Sequence, residues 1–129
     1  HNFKNIVFWG RKPREEMYKY FSSSDFLIVS LINKPIFSLT VPAKVQTYIA
    51  ANKPILAVVN GDASDIIEDN RLGYCANPDD VLDIKETFVK SINTEEKEME
   101  EFTKNCKLLT NTTFNKENII NSLLSLLMR

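Results

Sequence analysis

Histidine is all but missing: one stands at position 1 and none follows. A chain so poor in imidazole offers no His-ligated metal site and no histidine general base. Cysteine is nearly as scarce. Cys75 and Cys106 lie far apart with no C-x-x-C spacing, so they read as two free thiols of a reducing compartment rather than as a disulfide framework. With only 3 glycines there is no glycine-rich phosphate loop. No apolar run approaches the ~20 residues that span a bilayer, and no signal peptide is visible. Neither sign of charge dominates: 16 Lys+Arg against 17 Asp+Glu leave a formal net charge of −1, and so no global field to attract a nucleic acid. There is no Ser-His-Asp set and no carboxylate pair placed for glycoside hydrolysis. The first residue is not methionine, and the chain reads as a piece of something longer, with His1 a tag remnant.

What is present is 129 residues, 43% hydrophobic and 26% charged, enough for one soluble domain with a real core. The stretch that organises it covers residues 36–61. Pro42 fixes φ near the helical value and lacks the N–H that a first turn cannot use, so a helix starts there. Val45, Tyr48 and Ile49 recur at +3 and +4 as one apolar stripe. Asn52 suits the left-handed end of a helix and Pro54 cannot continue one. Residues 55–59 form an almost unbroken apolar run, as in a parallel strand covered on both faces, and Asn60-Gly61 closes it. A polar loop over residues 34–41 therefore feeds a helix whose N-terminal amides attract anions, phosphates above all.

Elsewhere, residues 6–9 (Ile-Val-Phe-Trp) predict a strand ending at Gly10. Met17, Tyr20 and Phe21 give a helix its inner face, and residues 26–31 form a second buried strand. Asp62 caps a short helix through Asp69 with Ile66 and Ile67 inward, and residues 73–76 are a fourth strand. Asn77-Pro78-Asp79-Asp80 opens a helix carried by Val81, Ile84, Phe88 and Ile92. Thr94 opens a charged one, read as a solvated face with a Glu100 to Lys104 pair. Ile119, Ile120, Leu123, Leu124 and Leu127 make a last apolar stripe. Apolar strands alternating with helices predict an α/β fold with an open parallel sheet. Its ligand rim lies beyond the carboxyl ends of the strands, where Gly10-Arg11, the loop after residue 31 and Asn60-Gly61 converge.

Thr40-Val-Pro-Ala-Lys-Val-Gln-Thr-Tyr-Ile-Ala-Ala-Asn-Lys-Pro-Ile-Leu resembles the donor-site segment of the retaining GT-B glycosyltransferases of family 4, one subgroup of which reads roughly T-x-P-S-K-x-Q-x-Y-x-A-x-G-K-P. Asn5-Ile-Val-Phe-Trp-Gly, Ser24-Asp-Phe-Leu-Ile-Val-Ser-Leu, Asn60-Gly-Asp-Ala-Ser-Asp-Ile-Ile, Gly73-Tyr and Asn77-Pro-Asp-Asp follow the same family in order and spacing. The resemblance implies that residues 1–129 are a single Rossmann-like domain, an open parallel sheet flanked by helices. They would form the later part of a GT-B C-terminal domain whose N-terminal acceptor domain is absent. It implies a nucleotide-sugar donor, UDP-sugar for preference, held by Thr40, Val41, Pro42, Ala43, Lys44 and Thr47. Trp9, Gly10, Arg11 and Lys12 would border the nucleobase, and Asp62 and Asp65 match acidic positions of the family. No metal and no cofactor are implied, and no residue here is assigned as catalytic. The acceptor would be a glycan or lipid-linked, in cell-surface polysaccharide synthesis. The enzyme would be cytoplasmic, at the inner face of the membrane, and this piece alone inactive.

Each residue also has a plainer reading: Lys44 as a surface lysine, Trp9 as core, Asp62 and Asp65 as caps. Two glutamates that the family sets eight residues apart fall at Leu39 and Thr47, neither of them acidic. The alternatives are therefore a structural domain that has lost the donor site, or a doubly wound binding module such as a receiver domain. The latter is disfavoured because Lys53-Pro54 precedes a strand instead of following one. A sheet lacking its first strands should leave an apolar flank around Ile6, Phe8 or residues 26–31. The chain is accordingly expected to self-associate, or to fold its last helix over that flank.

Overall fold

The computed structural model describes residues 3–128, which excludes His1. Three of the apolar runs form one parallel sheet: β1 (Leu27–Ser30), β2 (Ile55–Val58) and β3 (Gly73–Ala76), in the order β1-β2-β3. Leu27 lies beside Ile55, and Ile55 beside Gly73. β2 is central because its Ile-Leu-Ala run is buried on both faces. A 3-10 turn (Arg14–Glu16) leads into α1 (Met17–Ser22). After β1 come α2 (Pro35–Ser38) and α3 (Ala43–Ala50); α4 (Asp62–Asp69) joins β2 to β3; α5 (Val81–Ile92), α6 (Glu96–Asn111) and α7 (Lys116–Leu127) follow.

The two faces of the sheet are covered unequally. On one, Leu27, Val29, Ile55 and Ala57 pack against Val45 and Ile49 of α3, Ile67 of α4, and Cys106 and Leu109 of α6, with Phe21 of α1 at the margin. On the other, Leu56 and Tyr74 pack with Phe102, Phe88 and Phe26. No helix reaches over β1 on this second side, so Ile28 is 51% exposed. The expectation of a strand buried throughout over residues 26–31 gives way to alternation for that reason.

The turn between α3 and β2 ties several elements together. Asn52 takes φ 54°, the left-handed conformation the sequence predicts. Lys53 Nζ donates to the carbonyls of Ser22 and Ser24, both at 2.9 Å, placing a cation at the carboxyl end of α1. The Cys106 thiol donates to Lys53 O at 3.5 Å, and the Thr110 hydroxyl to Ile49 O at 3.1 Å. Each open edge of the sheet also carries a side-chain hydroxyl, Tyr48 on Ile28 O at 3.3 Å and Thr87 on Cys75 O at 3.5 Å.

Several expectations need correction. Residues 6–9 form no strand; they are irregular and exposed, Phe8 at 90%, because neither edge of the sheet pairs with them. The loop over residues 34–41 contains α2, since Pro35 presets a first helical turn. Asp62 is the first residue of α4, not its cap; Gly61 (φ 76°) holds that place, and a Cβ there would lie 2.1 Å from Ser38 O. α5 turns Ile84, Thr87 and Phe88 inward, leaving Val81 and Ile92 outside. α6 begins at Glu96 and is not merely a solvated face: Phe102, Cys106 and Leu109 are core. Among the described residues the ion pair is Arg71 with Glu101 at 2.9 Å, in place of Glu100 with Lys104. Both partners are exposed, and such a pair contributes about 0–1 kcal/mol. α7 buries none of its residues and does not cover the β1 flank.

Asn52 Oδ1 is buried with no hydrogen-bond partner. Asn52→Gly keeps the left-handed backbone and removes that oxygen, so stability should be unchanged or rise by about 1 kcal/mol. Asn52→Ala should lose about 1–2 kcal/mol to the strained φ. Chemical denaturation of the two variants checks the contrast.

Candidate functional site

In a parallel α/β sheet the groups free to meet a ligand collect beyond the carboxyl ends of the strands, here past Ser30, Val58 and Ala76. The helix α3 begins at this rim. Its N-cap is Pro42, which supplies no side-chain hydrogen bond, so the amides of Ala43 and Lys44 are left without a capping partner; Val45 N bonds back to Pro42 O at 2.9 Å. Other helices of the fold differ. Asp80 caps α5 through Leu82 N and Asp83 N, and Asn115 caps α7 in the same way. α4 is uncapped too, but Asp62 and Asp65 occupy its first turn and repel anions. The four-residue α2 is also uncapped and acid-free, with Lys34 before it. Among the described helices of eight or more residues, α3 alone combines an uncapped start, no acid in the first turn and a cation, Lys44, which is exposed and makes no ion pair among the described residues.

The remaining expected donor residues are less well gathered. The Thr40 hydroxyl turns back to α2, donating to Ile36 O at 3.2 Å and Phe37 O at 3.4 Å. Val41 and Pro42 are half-buried beneath the start of α3, and Ala43 is exposed. Thr47 donates to Ala43 O at 2.9 Å and lines a groove of about 320 Å³ with Gln46, Ala50, Phe114 and Ile119. That groove belongs to the space between α3 and α7, away from the free amides. Leu39 is 75% exposed.

Trp9 is neither core nor joined to α3. It is exposed, its ring lies 6.2 Å from that of Tyr20, and Lys12 Nζ stands 5.9 Å from its centroid. Arg11, Lys12, Pro13, Arg14 and Met17 line an open depression beside it. Gly10 takes φ 66° with nothing within 4 Å of a Cβ built there. Among the described residues no hydrogen bond, ion pair or ring contact connects this loop to Thr40, Val41 or Lys44.

Sequence reasoning placed Asn60 at the close of a strand and Asn77 at a helix start, but missed Asn33 and the network that joins them. Asn33 Nδ2 donates to Asp79 Oδ2, and Asn60 Nδ2 to Asn77 Oδ1 at 3.2 Å. Asn77 Oδ1 also accepts from Asp79 N at 3.0 Å, and Asn77 N donates to Asp83 Oδ2 at 2.7 Å. The sequence shows one Asn after each strand but not that they meet. This network and α2 leave little space beside β1 and β2. The space among Leu31, Asn33, Phe37, Ser38 and Asn60 is about 10 Å³, room for one water.

Comparison with protein-family models, with curated proteins and with solved structures finds no match to this chain. Among the described residues no three His, Cys, Asp or Glu side chains are grouped to hold a metal ion, and no helix is long and apolar enough to cross a membrane.

Both thiols are poor nucleophiles. Burial, with Glu68 and Asp65 nearby, pushes Cys75 from its ordinary value of 9.0 up to about 12. Burial likewise pushes Cys106 up to about 11. A group whose pKa rises on folding stabilises the fold fully below its unfolded value and loses that contribution as pH climbs through its folded one. The unfolding midpoint should therefore fall progressively above pH 9, through 11 and towards 12. Native chain at neutral pH should resist a thiol reagent that labels both cysteines once it is unfolded. Denaturation across pH and labelling followed by mass spectrometry check the two halves.

Proposed function

We propose that this chain is the donor-binding part of a retaining glycosyltransferase, and that α3 receives the diphosphate of a nucleotide-sugar, UDP-sugar for preference. The observation carrying this reading is the uncapped, acid-free start of α3 at the carboxyl rim, with Lys44 exposed beside it. The resemblance of residues 40–56 to a donor-site segment supports it, as does the parallel α/β sheet. In the reaction the sugar's anomeric carbon exchanges its bond to the diphosphate for one to an acceptor hydroxyl. The amides and Lys44 offset the charge left on the departing diphosphate, without a metal. The acceptor, a glycan or lipid-linked chain in cell-surface polysaccharide synthesis, would bind on a separate N-terminal domain in the cytoplasm, at the inner membrane face. This chain alone would be inactive.

The second reading is a structural domain that keeps the fold without the donor. The small cavity of about 10 Å³ beside α2 favours it, as does Thr47 facing the α7 groove. A nucleotide occupies a pocket of about 300 Å³ or more, which the cavity beside α2 does not provide.

Titration with UDP, followed by amide NMR, separates them. Donor binding should shift the amides of Val41, Ala43 and Lys44 with a dissociation constant near millimolar, roughly 4 kcal/mol. Lys44→Ala should weaken that binding while changing stability by less than about 0.5 kcal/mol. Shifts confined to other parts of the chain, or none, would establish the structural reading.

A further inference from the structure

We propose that two copies of this chain exchange residues 6–9, each adding Ile-Val-Phe-Trp as a fourth parallel strand to the open edge of the other's β1. The edge is available for this. Leu27 N and Leu31 N bond Pro54 O and Val58 O of the β2 side, so the alternate N–H groups, those of Ile28 and Ser30, point outward. Tyr48 uses one lone pair of Ile28 O and leaves the second.

The direction of the chain selects this edge. α3 and α4 both cross the same face of the sheet while stepping from β1 to β2 and from β2 to β3. α1 lies on that face as well, through Phe21 against Tyr48, ring centroids 5.6 Å apart. A right-handed crossover through α1 therefore places any preceding strand on the side of β1 away from β2. Residues 6–9 are that strand, unpaired: Ile6, Val7, Phe8 and Trp9 are all exposed.

Register and charge agree. An offset that sets Ile6 beside Leu27 and Phe8 beside Val29 directs both towards the helix-covered face, and Val7 towards the bare Ile28. The same offset brings Lys4 beside Asp25, opposite charges at the amino end of the edge. In one copy the segment does not reach the edge; Trp9 rests against Tyr20. Taken from a second copy, the pairing is a domain swap about the linker at Gly10. With aromatic side chains burying about 150–250 Å² each, two exchanged segments and two receiving edges cover roughly 2,000 Å², the size of a stable interface.

Light scattering on the 129-residue chain at high micromolar concentration tests this without any nucleotide, and so stands apart from the donor reading. The chain should be a dimer. Phe8→Asp, at a side chain that touches little in the single copy, should weaken it by at least about tenfold in dissociation constant. Ser30→Pro should do the same by removing an outward N–H that β2 does not use, and Leu123→Lys on α7 should leave it intact. Should Ser30→Pro fail to fold, Phe8→Asp decides. A chain that stays monomeric overturns the proposal, as does a dimer that survives Phe8→Asp or is lost with Leu123→Lys.

Discussion

The turn Asn52-Lys53-Pro54 is the constraint on which the remaining structure depends. Its backbone ends α3 and starts β2, its lysine holds the end of α1, its lysine carbonyl accepts from α6, and its proline carbonyl accepts from Leu27 of β1. Five elements meet at three residues. The Lys53 ammonium is the sole charge there, and it is satisfied by carbonyls at the end of a helix, where a cation is favoured. Displacing the turn would misplace the central strand, and with it both edges and the rim. Asn52 accepts a buried oxygen without a partner at the same point, a local cost borne for the left-handed backbone.

The unequal covering of the sheet follows from the order of crossovers. Helices that step β1 to β2 to β3 all lie on one face, and the chain passes to the other only after β3, with α5. α5 can shield β2 and β3 but not β1. The same order sets helix starts at one rim, where their amides compete for caps. Those of α5 are met by a side chain and those of α4 are surrounded by acids, whereas the short α2 and the longer α3 have neither.

Much of this was legible in the sequence where backbone chemistry leaves little choice. Pro42, Asn52 and Pro54 fix the bounds of α3, and the run of residues 55–59 declares a covered strand. Gly73 marks β3 because a Cβ there would lie 1.9 Å from Ile55 O. Residues 6–9 have the composition of a strand, but pairing is a property of a neighbour, and composition does not supply one. The inner face of α6 was masked by its glutamates and lysines, although Phe102, Cys106 and Leu109 recur at helical spacing. At the rim, the uncapped start of α3 could be read from Pro42 alone. The Asn33, Asn60 and Asn77 network could not, because it joins residues brought together only by the sheet.

The seal that α6 places on the central turn also sets an order of events during synthesis. Cys106 reaches back 53 residues to Lys53, and Thr110 reaches back 61 to Ile49. All three strands are complete by Ala76, yet the face over Ile55 and Leu72 stays open until Thr110 has left the ribosome. At ~5–20 residues per second, the 34 residues from 76 to 110 take roughly two to seven seconds to add. For that interval α3 and α4 can cover the main apolar face but α6 cannot, and the side chains that Cys106 and Leu109 later pack against stay accessible to chaperones in the exit region.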